Sequence, residues 1–457
     1  MSLFQVRHYR LEAEFHVDTS EISGRAIVRF ANSGKVPANI VSFLMNKGLH
    51  AVSVEDDNKN SLKFQQNLRS FSDLGDLKVN HILVSVDEIE PDDECSVRVI
   101  FDGPIVGYED VFPYTKDHIG TDFSLLRLDV FAYPIIGSLN FKKSMESIAS
   151  QSFNYCLKLT VPHGYVVASG GRILSKTEHN KKVIYSYVNQ VPTWRFDAAV
   201  AKFKVATRRK RVLRCYVFPR DLSQAKRMQK EVERTIRFYE NWFTTSPNVR
   251  GYTLIEIPSG WGSQAGADYM LLDEESIKDK ARISGLYHEL AHLWNIQSAE
   301  ECRSRFFDEG FASYFQALAE REFLGEDAFH QRMNGFRRGF SKLCDKDRRY
   351  FETPMSHYGT FGLTDASYLK GAWALYILHM LLGEIKFKKS IGAFVKEHLE
   401  RPATIEDLKH QLEKTLGKDL TRFFDEWFFS AKSSAYLDEA TSTRQIVAKY
   451  LNQNSEV

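Results

Sequence analysis

Residues 288–292 read His-Glu-Leu-Ala-His, and residues 307–311 read Phe-Asp-Glu-Gly-Phe. On a helix, positions four residues apart share one face, so the imidazoles of His288 and His292 stand about one turn apart. Two imidazoles in that arrangement can reach one Zn²⁺ ion at roughly 2.0–2.1 Å. The motif is flanked by good helix formers, namely Leu286, Leu290, Ala291 and Leu293. The spacing therefore predicts a helix that presents two metal ligands.

A third ligand and a proton acceptor are needed before such a pair can do hydrolytic chemistry. Glu309, seventeen residues after His292, falls on the polar side of a predicted helix. The apolar side of that helix carries Phe307, Phe311, Tyr314, Phe315 and Leu318. We predict that His288, His292 and Glu309 bind one Zn²⁺ per chain, and that Glu289 accepts a proton from water. Another divalent metal would accept the same donors. The competing interpretation is a chance motif, whose polar residues lie on the surface or are satisfied within the core.

The composition describes a large globular protein and argues against nucleic acid as a partner. The chain has 457 residues, of which 43% are hydrophobic and 13% aromatic, enough for two or three packed domains. Lys and Arg number 61 against 59 Asp and Glu, a net charge of +2. This balance lacks the strongly basic character of a nucleic-acid binder. A short basic run at residues 208–211 is interpreted as a solvated turn.

The cysteine pattern favours a reducing compartment, and the apolar segments do not predict a membrane span. The five cysteines are scattered, without a Cys-x-x-Cys pair, and read as free thiols. The first fifteen residues lack the basic and apolar pattern of a signal peptide. The longest apolar stretch, Gly371 to Leu382, is too short to span a bilayer. We therefore predict a cytoplasmic protein without a membrane span; a targeting segment ahead of residue 1 is an open alternative.

The spacing of the hydrophobic residues changes along the chain and divides it into two parts. Alternating or β-branched runs separated by turn residues fill the first part, at 6–17, 25–30, 81–86, 96–101, 155–161 and 183–188. After about residue 206 the period becomes helical, with a strand at 252–257 and helices expected at 277–297, 304–323, 366–382, 388–399 and 404–416. We predict an α and β multidomain fold with an N-terminal antiparallel β-sheet domain (1–206), a mostly helical catalytic domain (207–432) and a polar C-terminal tail (433–457).

The histidine motif followed by Asp308-Glu309-Gly310-Phe311-Ala312 resembles the zinc signature of the membrane alanine aminopeptidase and leukotriene hydrolase family, which belongs to the gluzincins. Residues 368–372, Tyr-Leu-Lys-Gly-Ala, resemble that family's tyrosine motif, in which a phenol helps to stabilise the tetrahedral oxyanion. The similarity runs from about residue 10 to 430. It implies an N-terminal β-domain, a thermolysin-like catalytic domain, and a catalytic Tyr368 beside Glu289.

The chain departs from the family where a peptide would be held. The family's Gly-x-Met-Glu-Asn motif, whose glutamate grips a free α-amino group, is replaced at 262–269 by Gly-Ser-Gln-Ala-Gly-Ala-Asp-Tyr. Asp268 is the nearest acid, and the glycine-rich strand edge can pair with a peptide backbone. The residues predicted to bind substrate are Gln264, Gly266, Ala267 and Asp268.

Two further departures concern length. The gap between His292 and Glu309 is two residues shorter than the family usually shows, and a shorter loop still joins two antiparallel helices. The chain also ends soon after the expected catalytic domain. The sequence thus predicts an open cleft that admits longer peptides, or one that a homo-oligomer closes.

The resemblance implies a zinc-dependent metallopeptidase that hydrolyses peptide bonds, with an aminopeptidase as the first expectation. Because the amino-group glutamate is absent, an endopeptidase or oligopeptidase on the same zinc site is the main alternative. A non-catalytic peptide-binding module is a hypothesis from another class, and a lipid epoxide hydrolase a weaker one. The intact Glu289 and Tyr368 argue against the binding module, which has no physical need for either.

Overall fold

The chain packs into two compact units. The computed structural model describes residues 4–208, 213–245, 251–437 and 441–451. The units comprise Met1–Gln229 with Arg250–Lys280, and Lys230–Val249 with Ala281–Val457. This division follows packing, and the domain bounds expected from the sequence, 1–206, 207–432 and 433–457, stay a prediction. Most of the basic run at 208–211 and part of the expected tail, residues 438–440 and 452–457, lie outside the described residues.

Strands dominate the first unit. In chain order they are β1 (Phe4–His16), β2 (Glu21–Asn32), β3 (Ala38–Met45), β4 (His50–Glu55), β5 (Phe64–Ser70), β6 (Lys78–Ile89), β7 (Glu94–Gly103), β8 (Phe123–Leu126), β9 (Ile135–Ile136), β10 (Asn154–Pro162), β11 (Val166–Ser169), β12 (Arg172–His179), β13 (Lys182–Val188), β14 (Ala198–Ala201), β15 (Lys204–Arg208), β16 (Leu213–Val217), β17 (Tyr252–Ile257), β18 (Gln264–Ala265) and β19 (Tyr269–Asp273).

The N-terminal strands form the sheet domain that the alternating pattern predicts. A seven-stranded sheet has the order β12-β13-β10-β1-β2-β7-β4, and a four-stranded sheet has the order β5-β6-β3-β9. Pairing is antiparallel except between β1 and β10, which run parallel. Alternate residues of β1, among them Leu11, Ala13 and Phe15, are buried in the core, as a strand period of two requires. The expectation of an N-terminal antiparallel β-domain is confirmed.

A five-stranded sheet in the first unit carries the glycine-rich segment. Its order is β15-β16-β17-β19-β18. The central strand β17 has the bounds expected from the sequence, and every one of its residues is buried. The short strand β18 lies at the sheet edge and pairs antiparallel with β19. One side of its backbone therefore has no neighbouring strand among the described residues.

Helices dominate the second unit. The α-helices of the chain are α1 (Phe141–Ala149), α2 (Leu222–Trp242), α3 (Glu274–Lys278), α4 (Ser284–Ala291), α5 (Phe311–Leu324), α6 (Glu326–Lys346), α7 (Arg349–Glu352), α8 (Tyr358–Phe361), α9 (Ala372–Leu382), α10 (Glu384–His398), α11 (Ile405–Leu416), α12 (Thr421–Phe424) and α13 (Thr443–Leu451). Across the described ranges, none of the helices has the length and apolar character needed to traverse a lipid bilayer.

The structure corrects several helix boundaries. The helix expected at 277–297 is broken, because Asp279 adopts an extended conformation after α3 and the chain passes into a 3₁₀ turn, His292–Trp294, after α4. A capping box formed by Thr404 and Asp407 begins α11. The 3₁₀ segment Lys432–Leu437 runs into the expected tail, which also contains helix α13 with buried apolar side chains. The free state of the five cysteines is confirmed.

Two π-helical turns touch in the second unit. They span Phe306–Gly310 and Ser367–Gly371, directly before α5 and α9. A Cβ atom on Gly371 would lie 3.2 Å from Gly310 Cα and 3.0 Å from the Phe306 ring. A Cβ atom on Gly310 would lie 2.9 Å from the same ring. The missing side chains therefore permit a backbone approach that brings these two turns together.

We expect Gly371→Ala to destabilise the metal-free protein by about 1–3 kcal/mol, the usual effect of overpacking a core. Gly335 is a matched control, because it lies in α6 and an added Cβ would meet nothing within 4 Å. Gly335→Ala should be neutral or stabilising by up to about 1 kcal/mol, since alanine favours helix. Urea unfolding followed by circular dichroism measures both. Equal stability of the two variants would show that the glycine contact is unimportant.

Candidate metal centre

The two histidines of the quoted motif lie at the C-terminal end of α4. His288 is in the helix, and His292 follows its last residue in the 3₁₀ turn. Leu286, Tyr287 and Leu290 are buried, which holds this face of α4 in the core. The imidazole rings of His288 and His292 project from the other face with their centroids 4.9 Å apart. The four-residue spacing thus produces the pair of imidazoles that the sequence predicts.

The Glu309 carboxylate joins the imidazoles from the first π-helical turn. Its Oε2 atom lies 3.0 Å from His288 Nε2 and 3.6 Å from His292 Nε2. Two ligands bound tetrahedrally at zinc-like distances are about 3.4 Å apart, and the observed separations bracket that value. The Glu309 side chain is 7% exposed and the imidazoles 14–15%. A carboxylate and two nitrogen donors that converge out of solvent fit a divalent cation of the zinc type.

The outward ring nitrogens of both histidines have side-chain acceptors. His288 Nδ1 lies 3.2 Å from Gln316 Oε1, and His292 Nδ1 lies 2.9 Å from Asn295 Oδ1. An amide oxygen accepts a hydrogen bond, so each Nδ1 carries the proton and each Nε2 presents its lone pair to the other donors. Gln316 in turn donates to Glu320 Oε1 at 3.3 Å. These contacts fix the orientation of both rings.

Arg305 holds the other oxygen of Glu309. Its guanidinium group donates to Glu309 Oε1 and, at 2.9 Å, to Asp308 Oδ2. The backbone of Arg305 has a φ of 67°, which places its side chain against the turn that follows. Burial opposes ionisation of Glu309, but His292, His288 and Arg305 outweigh it and lower the pKa of this carboxyl far below its ordinary value. Oε2 is therefore the oxygen directed at the imidazoles.

The two predicted catalytic side chains lie in the same unit as the donors. The Tyr368 ring lies parallel to the His288 ring, with the centroids 6.0 Å apart, and the Arg305 guanidinium lies 5.9 Å from the Tyr368 centroid. Burial, followed by the charge of Glu309, raises the pKa of Tyr368, so the phenol keeps its proton. Glu289 is half-buried on α4, between the two histidines in sequence. Their roles as oxyanion donor and proton acceptor stay predictions.

The predicted substrate-binding residues belong to the first unit, around strand β18. Gln264 accepts a hydrogen bond from Arg195 at 2.8 Å and donates to Asp129 at 3.2 Å. Asp268 is buried, and its carboxylate accepts from the backbone N–H of Gly171 at 2.9 Å and from Gln190 at 3.3 Å. Burial raises the pKa of Asp268. These contacts give both side chains a structural task within the unit.

The backbone of the same segment is more constrained than its small side chains indicate. The N–H group of Gly266 donates to the carbonyl of Tyr269 at 2.8 Å. A Cβ atom on Gly266 would lie 2.0 Å from the Tyr269 ring, so this position requires glycine. Ala267 follows it and is half-buried. A role of Gly266 and Ala267 in binding substrate remains a prediction.

Three residues that contact the candidate metal donors were not predicted from the sequence. Gln316 lies seven residues after Glu309, and Arg305 lies four residues before it, so both fall near its face of a helix. Asn295 lies three residues after His292. The helical spacing offered a signal for each, but polar residues at such spacings are common on solvated faces. Only the observed contacts distinguish these three from other polar neighbours.

Comparison with known proteins shows which family this part of the chain resembles. Residues 228–427 match the model of the peptidase family M1 domain. This part of the chain is similar to that family's domain, and all the predicted site residues, from Gln264 to Tyr368, lie within it. The recognition of the family from its zinc and tyrosine motifs is therefore confirmed.

The related sequences are distant and longer. Aminopeptidase M1 of Arabidopsis thaliana is 29% identical over 175 residues, which cover 35% of this chain and 19% of that protein. Leucyl aminopeptidase of Saccharolobus solfataricus is 22% identical over 293 residues, which cover 59% of this chain and 37% of that protein. The matches thus span 19% and 37% of the length of these two relatives.

Solved structures share the fold of this chain. The M1 zinc metallopeptidase from Deinococcus radiodurans is 17% identical, with a TM-score of 0.67 over 93% of both chains. Native yeast LTA4 hydrolase is 16% identical, with a TM-score of 0.70 over 94% of this chain and 68% of that chain. A likeness at this level of identity establishes the fold, a β-sheet domain followed by a mostly helical domain.

We expect Arg305→Asn to weaken Zn²⁺ binding about 10–100-fold, the usual effect of removing a residue that orients a metal ligand. Asparagine tolerates the positive φ of this position but cannot reach the Glu309 carboxylate as the guanidinium does. Arg338→Ala is the control, because Arg338 is exposed on α6. Competition with a zinc chelator measures the affinity of each variant. Unchanged affinity in Arg305→Asn would mean that Arg305 does not position Glu309.

Proposed function

We propose that this chain is a zinc-dependent metallopeptidase that hydrolyses peptide bonds at the centre formed by His288, His292 and Glu309. The observation that carries the proposal is the convergence of three metal donors, with both outward ring nitrogens engaged by amide oxygens. Glu289 and Tyr368 lie in the same compact unit as these donors. The M1 domain and relatives named as aminopeptidases and zinc metallopeptidases support the same chemistry.

Each catalytic task has a chemically suitable side chain. Zinc, when bound by the three donors, supplies the electrophile that activates water and polarises a carbonyl group. The Glu289 carboxylate accepts a proton from the attacking water and returns it to the leaving amine. The Tyr368 phenol, protonated at neutral pH, donates a hydrogen bond to the oxygen that becomes negative. Arg305 and Gln316 hold Glu309 and His288 in place during these steps.

The finer question is where in a peptide the bond is cut. The named relatives are aminopeptidases, which favours removal of N-terminal residues. The contacts of Asp268 favour the alternative, an endopeptidase or oligopeptidase, because a buried carboxylate that accepts from Gly171 and Gln190 is poorly available to a substrate amine. The side of β18 that has no neighbouring strand within the described part of the chain suits strand addition by a peptide in either case.

A non-catalytic peptide-binding module needs neither a proton acceptor nor an oxyanion donor. The Tyr368 ring stacked beside a metal-donor imidazole therefore favours the enzyme. A cytoplasmic location, a homo-oligomer that closes the cleft and the lack of a nucleic-acid partner remain predictions from the sequence. Size-exclusion chromatography with light scattering measures the oligomeric state directly.

We expect Glu289→Gln to keep zinc bound and to lower kcat by about 10²–10⁴-fold, because glutamine cannot accept the proton from water. The matched control is Glu322→Gln, since Glu322 is exposed on α5 and lies outside the centre. Metal content by atomic absorption and peptide hydrolysis by chromatography give the two readouts. Normal turnover in zinc-loaded Glu289→Gln would disprove the assigned role.

The site of cleavage is tested with one peptide in two forms, one with a free N-terminus and one acetylated. If an acidic group grips the α-amino group, acetylation should abolish cleavage. If Asp268 has only its structural task and no other acid replaces it, both forms should be cleaved at similar kcat/KM. Cleavage of neither form by protein shown to contain zinc would favour the binding module. Mass spectrometry of the products identifies the bond.

A further inference from the structure

Three acidic side chains meet at one edge of the five-stranded sheet in the first unit. Strands β16, β17 and β19 run parallel, so their carboxyl ends lie at the same edge. Asp221 lies in the 3₁₀ turn after β16, Glu256 is the next-to-last residue of β17, and Glu274 directly follows β19. Ligands of open sheets commonly bind outside the carboxyl ends of parallel strands. This edge is therefore a natural place for a binding site.

The three carboxylates converge closely enough to share one ion. Each of Asp221, Glu256 and Glu274 offers one oxygen, and these oxygens lie within 4.8 Å of one another. Oxygens on opposite sides of a Ca²⁺ ion, each at roughly 2.3–2.6 Å, are about 4.6–5.2 Å apart. Mg²⁺ is smaller and gives up its water reluctantly, which a largely buried group of carboxylates does not favour. The spacing and burial thus suit Ca²⁺.

Glu256 carries a buried oxygen that the protein does not satisfy. The residue is 0% exposed, and so are its strand neighbours Ile255 and Ile257. Its Oε2 atom accepts from the backbone N–H of Phe218 at 2.6 Å, whereas Oε1 has no hydrogen-bond partner within the described part of the chain. Burial raises the pKa of Glu256 to about 8. An ionised carboxylate in such surroundings is unfavourable unless it is paired or coordinates a metal.

The basic side chains near the cluster lie on its outer side. Asp221 Oδ2 is buried without a hydrogen-bond partner among the described residues, and its ion-pair contacts are Arg220 Nε at 3.3 Å and Lys278 Nζ at 3.9 Å. The side chains of Arg220 and Lys278 are 59% and 42% exposed, and both contact Oε2 of Glu274. Across the described ranges, neither forms an ion pair with Glu256. Exposed ion pairs contribute little free energy, so these two cations can yield to a metal ion.

We propose that Asp221, Glu256 and Glu274 bind one Ca²⁺ ion, in a site of the first unit that is separate from the candidate zinc centre. The donors are all carboxylate oxygens, which Ca²⁺ prefers, and water completes its shell of about 6–8 oxygens. The centre of the second unit differs because two of its three donors are imidazole nitrogens. An ion at this edge joins the ends of three parallel strands and stabilises the sheet that carries β18. The site does not depend on peptide hydrolysis.

A proton shared between two carboxyl groups is the competing explanation. A protonated Glu256 that donates to Asp221 would satisfy both orphan oxygens without an ion. Such a proton does not involve Glu274, although an oxygen of Glu274 lies in the same group. A cation accounts for the convergence of all three carboxylates. The two explanations differ in whether added Ca²⁺ binds at this edge.

The test is titration calorimetry and thermal unfolding of the zinc-loaded full chain, in buffer freed of calcium by a chelating resin. We expect one Ca²⁺ per chain with a Kd below about 1 mM, and at least about 10-fold weaker binding of Mg²⁺. Saturating Ca²⁺ should raise Tm by at least about 2 °C, because the ion binds the folded state. Absence of Ca²⁺ binding, or equal binding of Mg²⁺, would overturn the calcium site.

Glu256→Gln tests the assignment of the site. The amide keeps the shape of the side chain and can donate to Asp221, so the variant should fold and keep its Tm without calcium. It lacks the charge, so Ca²⁺ affinity should fall at least about 10-fold and the gain in Tm should disappear. Glu88→Gln is the matched control, because Glu88 is exposed on β6 of the same unit. Ca²⁺ affinity unchanged in Glu256→Gln would place the ion elsewhere and contradict the proposal.

Two further variants keep the result independent of folding and of the zinc centre. Circular dichroism shows whether Glu256→Gln folds; if it does not, Glu274→Gln, at the less buried end of the cluster, decides by the same loss of affinity. His292→Ala removes a donor of the zinc centre and should bind Ca²⁺ as the wild-type protein does. Loss of Ca²⁺ binding in His292→Ala would assign the ion to the zinc centre. Failure to cleave peptides would contradict the proposed function and leave the calcium result intact.

Discussion

The convergence of one buried carboxylate on two imidazoles is the constraint on which the second unit depends. Glu309 Oε2 lies within 3.6 Å of both His288 and His292, and such a group of donors is unfavourable out of water unless a cation or strong hydrogen bonds compensate it. Arg305 takes one oxygen of the carboxylate, and amide oxygens take the outward side of each ring. The inward atoms of the three side chains thus face one another, as the donors of a candidate metal site do.

The two π-helical turns supply the geometry for this convergence. One carries Glu309 and the other carries Tyr368, and each ends directly where a buried helix begins. Short π-helical segments are frequent at functional sites, because the wider turn redirects side chains from the regular helical face. Gly310 and Gly371 permit the turns to touch, so Glu309 and Tyr368 are positioned by the same backbone contact. Packing and chemistry are therefore linked at two residues that have no side chain.

The glycine-rich segment of the first unit shows how a local departure from a family motif changes the expected chemistry. Asp268 was the nearest acid in the sequence to the missing glutamate, and its carboxylate instead accepts a backbone hydrogen bond from Gly171. Gln264 is held between Arg195 and Asp129. A polar side chain that is satisfied inside its own unit has less free energy to gain from a substrate. The backbone edge of β18 is the more available feature of this segment.

Much of the fold and the central part of the candidate site could be predicted from the sequence, because they depend on patterns among residues that are close together in the chain. The alternation in β1, the capping box at Thr404 and the four-residue spacing of the histidines are properties of neighbouring residues, which helix and strand geometry convert directly into faces. The contact of Gln316 on α5 with His288 on α4, and the approach of Gly310 to Gly371, join separate elements of the fold. A polar or small residue has the same local pattern whether it lies in solvent or against a metal donor, so only the tertiary structure decided these features.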